Sequence, residues 1–201
     1  MLHMNDLRRK KLIDLMGNWK SSSESEIRCL VNEILGHDYF AWEFGPDPMD
    51  DDISVLSISL ERSAGEVTQL ASDLGLPIQG NGWRVQVGMP PRDWDRYFEY
   101  EGRSGISYRI EGSHWLYELI PEDNDKVRVE LFPDIAIEPK DGDEISRILL
   151  IGEIGERNLA EKICNVSIGN SRKPGTKAIE NLRSEFAELY PDCAYREFLK
   201  S

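Results

Sequence analysis

The chain predicts an α+β fold: a mainly antiparallel sheet, helices at both ends of the chain, and one inserted helix near residues 63–75. Three features of the sequence point to this class. Apolar residues recur at helical spacing near both ends, the central stretch switches to two-residue alternation, and short turn-rich breaks separate the strands in place of a regular βαβ repeat.

The elements follow in order. Leu2, Met4, Leu7, Leu12, Ile13, Leu15 and Met16 fit a first helix with a stop at Gly17. A break at Ser21, Ser22 and Ser23 comes next, and Ser23 with Glu26 gives an S-x-x-E capping box ahead of Ile27, Leu30, Val31, Ile34 and Leu35. Gly36 ends that helix. Residues 37–44 and 53–60 read as strands, separated by GPDPMDDD, a Pro/Gly/Asp loop that continues neither. A second capping box, Ser63 with Glu66, opens the inserted helix, whose Val67, Leu70, Ala71 and Leu74 share a side before the stop at Gly75 and Pro77.

Alternation returns at Trp83, Val85 and Val87, and the following PPRDWDRYFEYEG is ambiguous between the two periods. Residues 106–110, 115–120 and 127–132 read as strands, the last two joined by PEDNDK into a hairpin. Residues 148–154 read as a buried strand leading through Gly155 into a helix over 156–164. A last helix over 176–189 carries Ile179, Leu182, Phe186 and Leu189, and Pro191 closes it.

A chain of 201 residues suits one principal core. The expected division is an N-terminal helical segment, 1–20, followed by a single α+β globular domain, 21–201. Cys29, Cys164 and Cys193 are odd in number and lack C-x-x-C spacing, so free thiols in a reducing, cytoplasmic setting are expected. The cluster Arg8, Arg9, Lys10 and Lys11 interrupts any apolar signal region, which argues against a secretory leader and leaves a mitochondrial-type presequence open. No run of apolar residues is long enough to predict a membrane span.

The net charge of −13 opposes binding to a polyanion and suits a basic protein partner. The basic stretches at 8–11 and 172–177 are the exceptions. GNSRKPGTK, residues 169–177, has the wrong glycine spacing and residue order for a phosphate loop, and a proline-initiated helix start accounts for it. Gly152 and Gly155 lack G-x-G-x-x-G spacing and are flanked by Glu153 and Glu156, so turn geometry is the better reading. His3, His37 and His114 are scattered, and Asp47, Asp50, Asp51 and Asp52 form no calcium-loop pattern, so neither a metal nor a cofactor is expected. Ser104 lies outside a G-x-S-x-G elbow, and His114 and Glu118 form no helical pair.

One mixture remains. Residues 93–101, DWDRYFEYE, interleave aromatic anchors with carboxylates, as a surface for a basic partner requires. The expected partner-binding residues are Asp50, Asp51 and Asp52 together with Trp94, Tyr97, Glu99 and Glu101. Acidity without a catalytic motif favours a noncatalytic protein-binding module, of inhibitor or immunity type, that neutralises a basic partner such as a toxin. An enzyme with a carboxylate and His114 pocket, and a structural or adaptor subunit, are the alternatives. The oligomeric state is not set by the sequence.

Overall fold

The structure, a computed structural model, describes residues 4–35, 42–47, 50–59, 79–80, 82–103, 105–169 and 174–191. Five α-helices and three sheets are present among them, and most strand pairs are antiparallel, so the chain is α+β. The helix expected near 63–75, the stop at Gly36 and the start of the strand expected from residue 37 lie outside the described residues.

The chain forms two compact units, Met1–Met89 and Pro90–Ser201, where the sequence reading has a short segment and one domain. The reason is that each unit closes its own apolar cluster. In the first, helices α1 (Met4–Gly17) and α2 (Glu24–Leu35) accompany strands β1 (Trp42–Asp47), β2 (Asp50–Ile58), β3 (Gln79–Gly80) and β4 (Trp83–Val87). Leu12 and Met16 of α1 are four residues apart and both buried, and they join Ile27 and Val31 of α2 with Leu56, Ile58, Trp83 and Val85 of the strands. The N-terminal helix is thus part of this core. The buried Ser54 hydroxyl donates to the Met16 carbonyl at 3.0 Å, satisfying an orphan acceptor near the end of α1.

The strand order is β1-β2-β4-β3, with β2 and β4 parallel and the other pairs antiparallel. Two local expectations change. GPDPMDDD is not wholly loop, because Gly45, Pro46 and Asp47 continue β1 and Asp50, Asp51 and Asp52 begin β2. β1 is the edge of its sheet, where proline's missing N–H is tolerated, and the register shifts after Pro46. The capping box at Ser23 does not close: its hydroxyl is 2.7 Å from that of Ser25, and Glu26 reaches Lys11 at 2.5 Å.

The second unit contains β5 (Tyr97–Glu101), β6 (Ser107–Glu111), β7 (Leu116–Glu122), β8 (Lys126–Phe132), α3 (Pro139–Ile154), α4 (Glu156–Lys162), β9 (Ile163–Ile168), β10 (Lys177–Ala178) and α5 (Leu182–Leu189). β5 and β6 form a two-stranded sheet, and a second sheet runs β10-β7-β8-β9. The β7–β8 hairpin forms where PEDNDK predicts it. Asn124 and Asp125 take φ of 64° and 56°, the left-handed conformation these two residue types tolerate best outside glycine.

Residues 148–154 are the largest correction. They are the second half of the sixteen-residue helix α3, not a strand. Asp141, Gly142, Ile145, Ser146, Leu149, Leu150, Gly152 and Glu153 are all buried, which is helical spacing that begins before the apolar run and is invisible within it. Gly155 then takes φ 81° and ψ 154°, a conformation open essentially to glycine, and separates α3 from α4. The last helix also starts later than expected. Pro174 and Gly175 make a turn, β10 and a 3-10 turn at Ile179–Asn181 follow, and α5 begins only at Leu182. Cys164, expected at a helix end, lies in β9.

Candidate functional site

The β5–β6 hairpin gathers the acidic and aromatic residues of the second unit. Its register sets Tyr97 opposite Glu111, Phe98 opposite Ile110, Glu99 opposite Arg109, Tyr100 opposite Tyr108 and Glu101 opposite Ser107. Strand alternation then separates two faces. Tyr97, Glu99, Glu101, Ser107, Arg109 and Glu111 are exposed, whereas Tyr108 and Ile110 are buried and Phe98 and Tyr100 are half-buried against the core.

Helix α3 holds the inner side at both of its ends. Near its last turn, Glu153 is fully buried and accepts from the Trp94 indole Nε1 at 3.1 Å and from Arg96 Nη2 at 3.3 Å. Arg96 Nε also lies 2.9 Å from the same carboxylate, which neutralises a charge that would be costly to bury alone. The Trp94 ring stacks on Phe98 at 5.9 Å and occupies the space where a side chain on Gly152 would begin. Arg183 of α5 donates to the carbonyls of Glu153 at 2.9 Å and Gly152 at 3.0 Å, so it caps the end of α3 as well as bonding the Arg92 carbonyl. In the first turn of α3, buried Asp141 accepts from the Arg103 backbone N–H at 2.9 Å and the Tyr108 hydroxyl at 3.0 Å. The hairpin is therefore tied down at both ends.

Its outer face is held mainly by contacts among its own side chains. Glu99 accepts from the Tyr97 hydroxyl at 3.0 Å and pairs with Arg109 at 3.4 Å. The hydrogen bond to the Glu99 carboxylate, followed by partial burial, raises the Tyr97 pKa. Glu111 lies 3.4 Å from His114 Nδ1, which also approaches Asp134 at 3.3 Å. Three carboxylates, Glu99, Glu101 and Glu111, thus surround one guanidinium and a tyrosine that is 44% exposed.

The seven expected site residues separate accordingly. Tyr97, Glu99 and Glu101 share this face, but Trp94 does not: it is half-buried on the core side. Asp50, Asp51 and Asp52 belong to β2 of the other unit. There, Asp50 is exposed and its carboxylate accepts from the Asp52 N–H at 2.9 Å. Asp52 is exposed and bonded to Lys20 at 2.6 Å, and that bond, with the lysine charge, lowers its pKa. Sequence reasoning missed Arg109 and Glu111, because register decides which residues of β6 face those of β5. It also missed Glu153, which lies 59 positions from Trp94. The available signal was the two-residue period of YFEYE itself.

A second polar cluster lies at β7, β10 and α5. The Tyr117 hydroxyl bonds Glu185, and Lys177 reaches the same carboxylate at 2.7 Å. Burial, reinforced by Glu185, pushes the Tyr117 pKa up. At Glu185 the opposing effect of burial is outweighed by the bonds from Lys177 and Tyr117, and its pKa falls. The cluster fastens α5 to the sheet. His114, considered for catalysis, sits in a 3-10 turn before β7, beside Glu111 and Asp134.

Among the described residues, no three His, Cys, Asp or Glu side chains are grouped to hold a metal ion, and no helix is long and apolar enough to cross a membrane. Comparison with protein-family models, curated proteins and solved structures gave no match.

Proposed function

We propose that this protein is a noncatalytic binding module of inhibitor or immunity type, which receives a basic protein partner on the outer face of the β5–β6 hairpin. The observation that supports this reading is the placement of Tyr97, Glu99 and Glu101 on one exposed face, above an inner face fixed to α3. A rigid support lowers the ordering cost of binding, and an aromatic amid carboxylates supplies both an anchor and a charged rim. The net charge of −13 adds a field that attracts a basic protein over roughly a Debye length, about 8 Å at physiological ionic strength. Exposed Asp50 and Asp52 provide a second acidic region, in which Asp52 must exchange Lys20 for any new cation.

The experiment is capture of the partner from the native host, followed by association kinetics across ionic strength. The partner is expected to be basic, with an on-rate that falls as salt rises. Replacing Glu99 and Glu101 together by Gln lowers the on-rate, whereas Tyr97→Ala raises the off-rate. An acidic partner, or rates unchanged by salt and by all three substitutions, would end this reading.

A further inference from the structure

The outer edge of β5 carries backbone groups as well as charge. The Gly112 N–H donates to the Arg96 carbonyl at 2.9 Å and the Gly102 N–H to the Ile106 carbonyl at 2.8 Å, bracketing the ladder at both ends. In an antiparallel pair, bonded and non-bonded residue pairs alternate. These two bonds therefore set the phase: Phe98 and Tyr100 direct their N–H and C=O groups to β6, and Tyr97, Glu99 and Glu101 direct theirs away from it. The Tyr97 N–H is taken by the Asp95 carboxylate at 3.0 Å. The N–H groups of Glu99 and Glu101, and the carbonyls of Tyr97, Glu99 and Glu101, have no other described strand beside them.

Resting on the proposed function, we infer that the basic partner binds by strand addition: an extended segment with alternating Lys or Arg pairs with the β5 edge and extends the two-stranded sheet. Adjacent strands lie about 4.8 Å apart, so cationic side chains on the exposed face of the added strand would come beside Tyr97, Glu99 and Glu101. The outer edge of β6 is a poorer site for the same segment, because Arg109 is at its centre. A second copy of this chain is disfavoured at the β5 edge. Antiparallel β5–β5 pairing centred on Glu99 sets that carboxylate against itself, and like charges directly opposite destabilise a pair. The charges that block self-pairing are those that select a basic strand.

The test uses the full chain and a synthetic peptide alternating lysine and threonine, with a second peptide of the same sequence N-methylated at alternate residues so that charge is kept and one row of donors is lost. The expected result is binding of the first peptide, slowed amide hydrogen exchange at Glu99 and Glu101, and about tenfold or more weaker binding of the N-methylated peptide. Glu99→Pro is expected to weaken the first peptide more than Glu99→Gln does, since it removes an outward donor and takes nothing from the β5–β6 ladder. Equal binding of both peptides, weakened by replacing Glu99 and Glu101 with Gln, overturns strand addition and leaves the electrostatic reading standing. Failure of both peptides to bind overturns strand addition, while the salt dependence of the captured partner tests the broader reading separately. Self-association of the chain through β5, seen as amide protection at Glu99 without peptide, also overturns it.

Discussion

Residues 94–101 divide by parity into two groups with opposite surroundings. Trp94, Phe98 and Tyr100 pack toward the core of the second unit, and Trp94 and Arg96 meet the buried carboxylate of Glu153. Tyr97, Glu99 and Glu101 face outward, and among the described residues Glu99 is engaged only by Tyr97 and Arg109. Both groups mix aromatic and charged residues, so composition cannot separate them. Within β5 strand alternation separates them, whereas Trp94 and Arg96, which precede the strand, are turned inward by their contacts with Glu153. Even positions are available for stability and odd positions for recognition, and substitutions on the two sides should have unlike consequences.

Trp94→Ala gives the largest expected effect. It removes a stacked ring, leaves a void beside Gly152 and takes a donor from the fully buried Glu153, at a cost of about 3 kcal/mol measured by denaturant unfolding. A change under about 0.5 kcal/mol would place Trp94 outside the packed interior and break the comparison. Gly152→Ala probes the same contact from the other side. The new methyl meets the indole ring, so a loss of about 1–3 kcal/mol is expected. If both are combined, the cavity left by the ring accommodates the methyl, and the double variant should be less destabilised than the sum of the two.

The outer positions should behave differently. Replacing Glu99 and Glu101 by Gln changes exposed side chains whose ion pair among the described residues, Glu99 to Arg109, is itself exposed, so unfolding free energy is expected to stay within about 0.5 kcal/mol. A loss near that of Trp94→Ala would show that the outer face carries the fold as well. Asp52 sharpens the point in the first unit. It is more exposed than Glu99, 88% against 65%, yet lies 2.6 Å from Lys20 where Glu99 lies 3.4 Å from Arg109, so an acidic residue's availability depends on its neighbours as well as its exposure.

The same contrast explains what could be read from the chain. The β7–β8 hairpin was legible because its signal, PEDNDK, is local and its left-handed residues are Asn124 and Asp125. α3 reads as a strand in sequence because Ile148–Ile151 form a continuous apolar run, and the period that marks a helix begins at Asp141, among polar residues and a glycine. The capping sequence at Ser23 was present without its bond, since Glu26 found Lys11 on the neighbouring helix. Trp94 looked like a surface anchor beside Asp93 and Asp95. Its position inside is decided by Glu153 and Gly152, contacts made across a distance in sequence that no local pattern encodes.

The smallest expected effect concerns the proton on Tyr97. Its hydroxyl donates to the Glu99 carboxylate, and ionising the phenol would lose that bond and set two negative charges together, which is why its pKa is raised. The sign for stability follows from linkage. A folded-state pKa above the unfolded one means that the folded chain keeps the proton longer, so the contribution is complete below the ordinary tyrosine range, near pH 10, and fades as pH rises through the folded value. Glu99→Gln removes the anion, and titration of Tyr97, followed by NMR with ring-labelled tyrosine, is expected to move down toward that ordinary range. Glu101→Gln, two positions along the same face, should leave the Tyr97 titration almost where it is, since Glu101 is not among the groups that raise it. A Tyr97 titration that ignores Glu99→Gln would mean that the hydroxyl and carboxylate are apart in solution, and the outer face would then lack the ordered aromatic centre that the recognition reading requires.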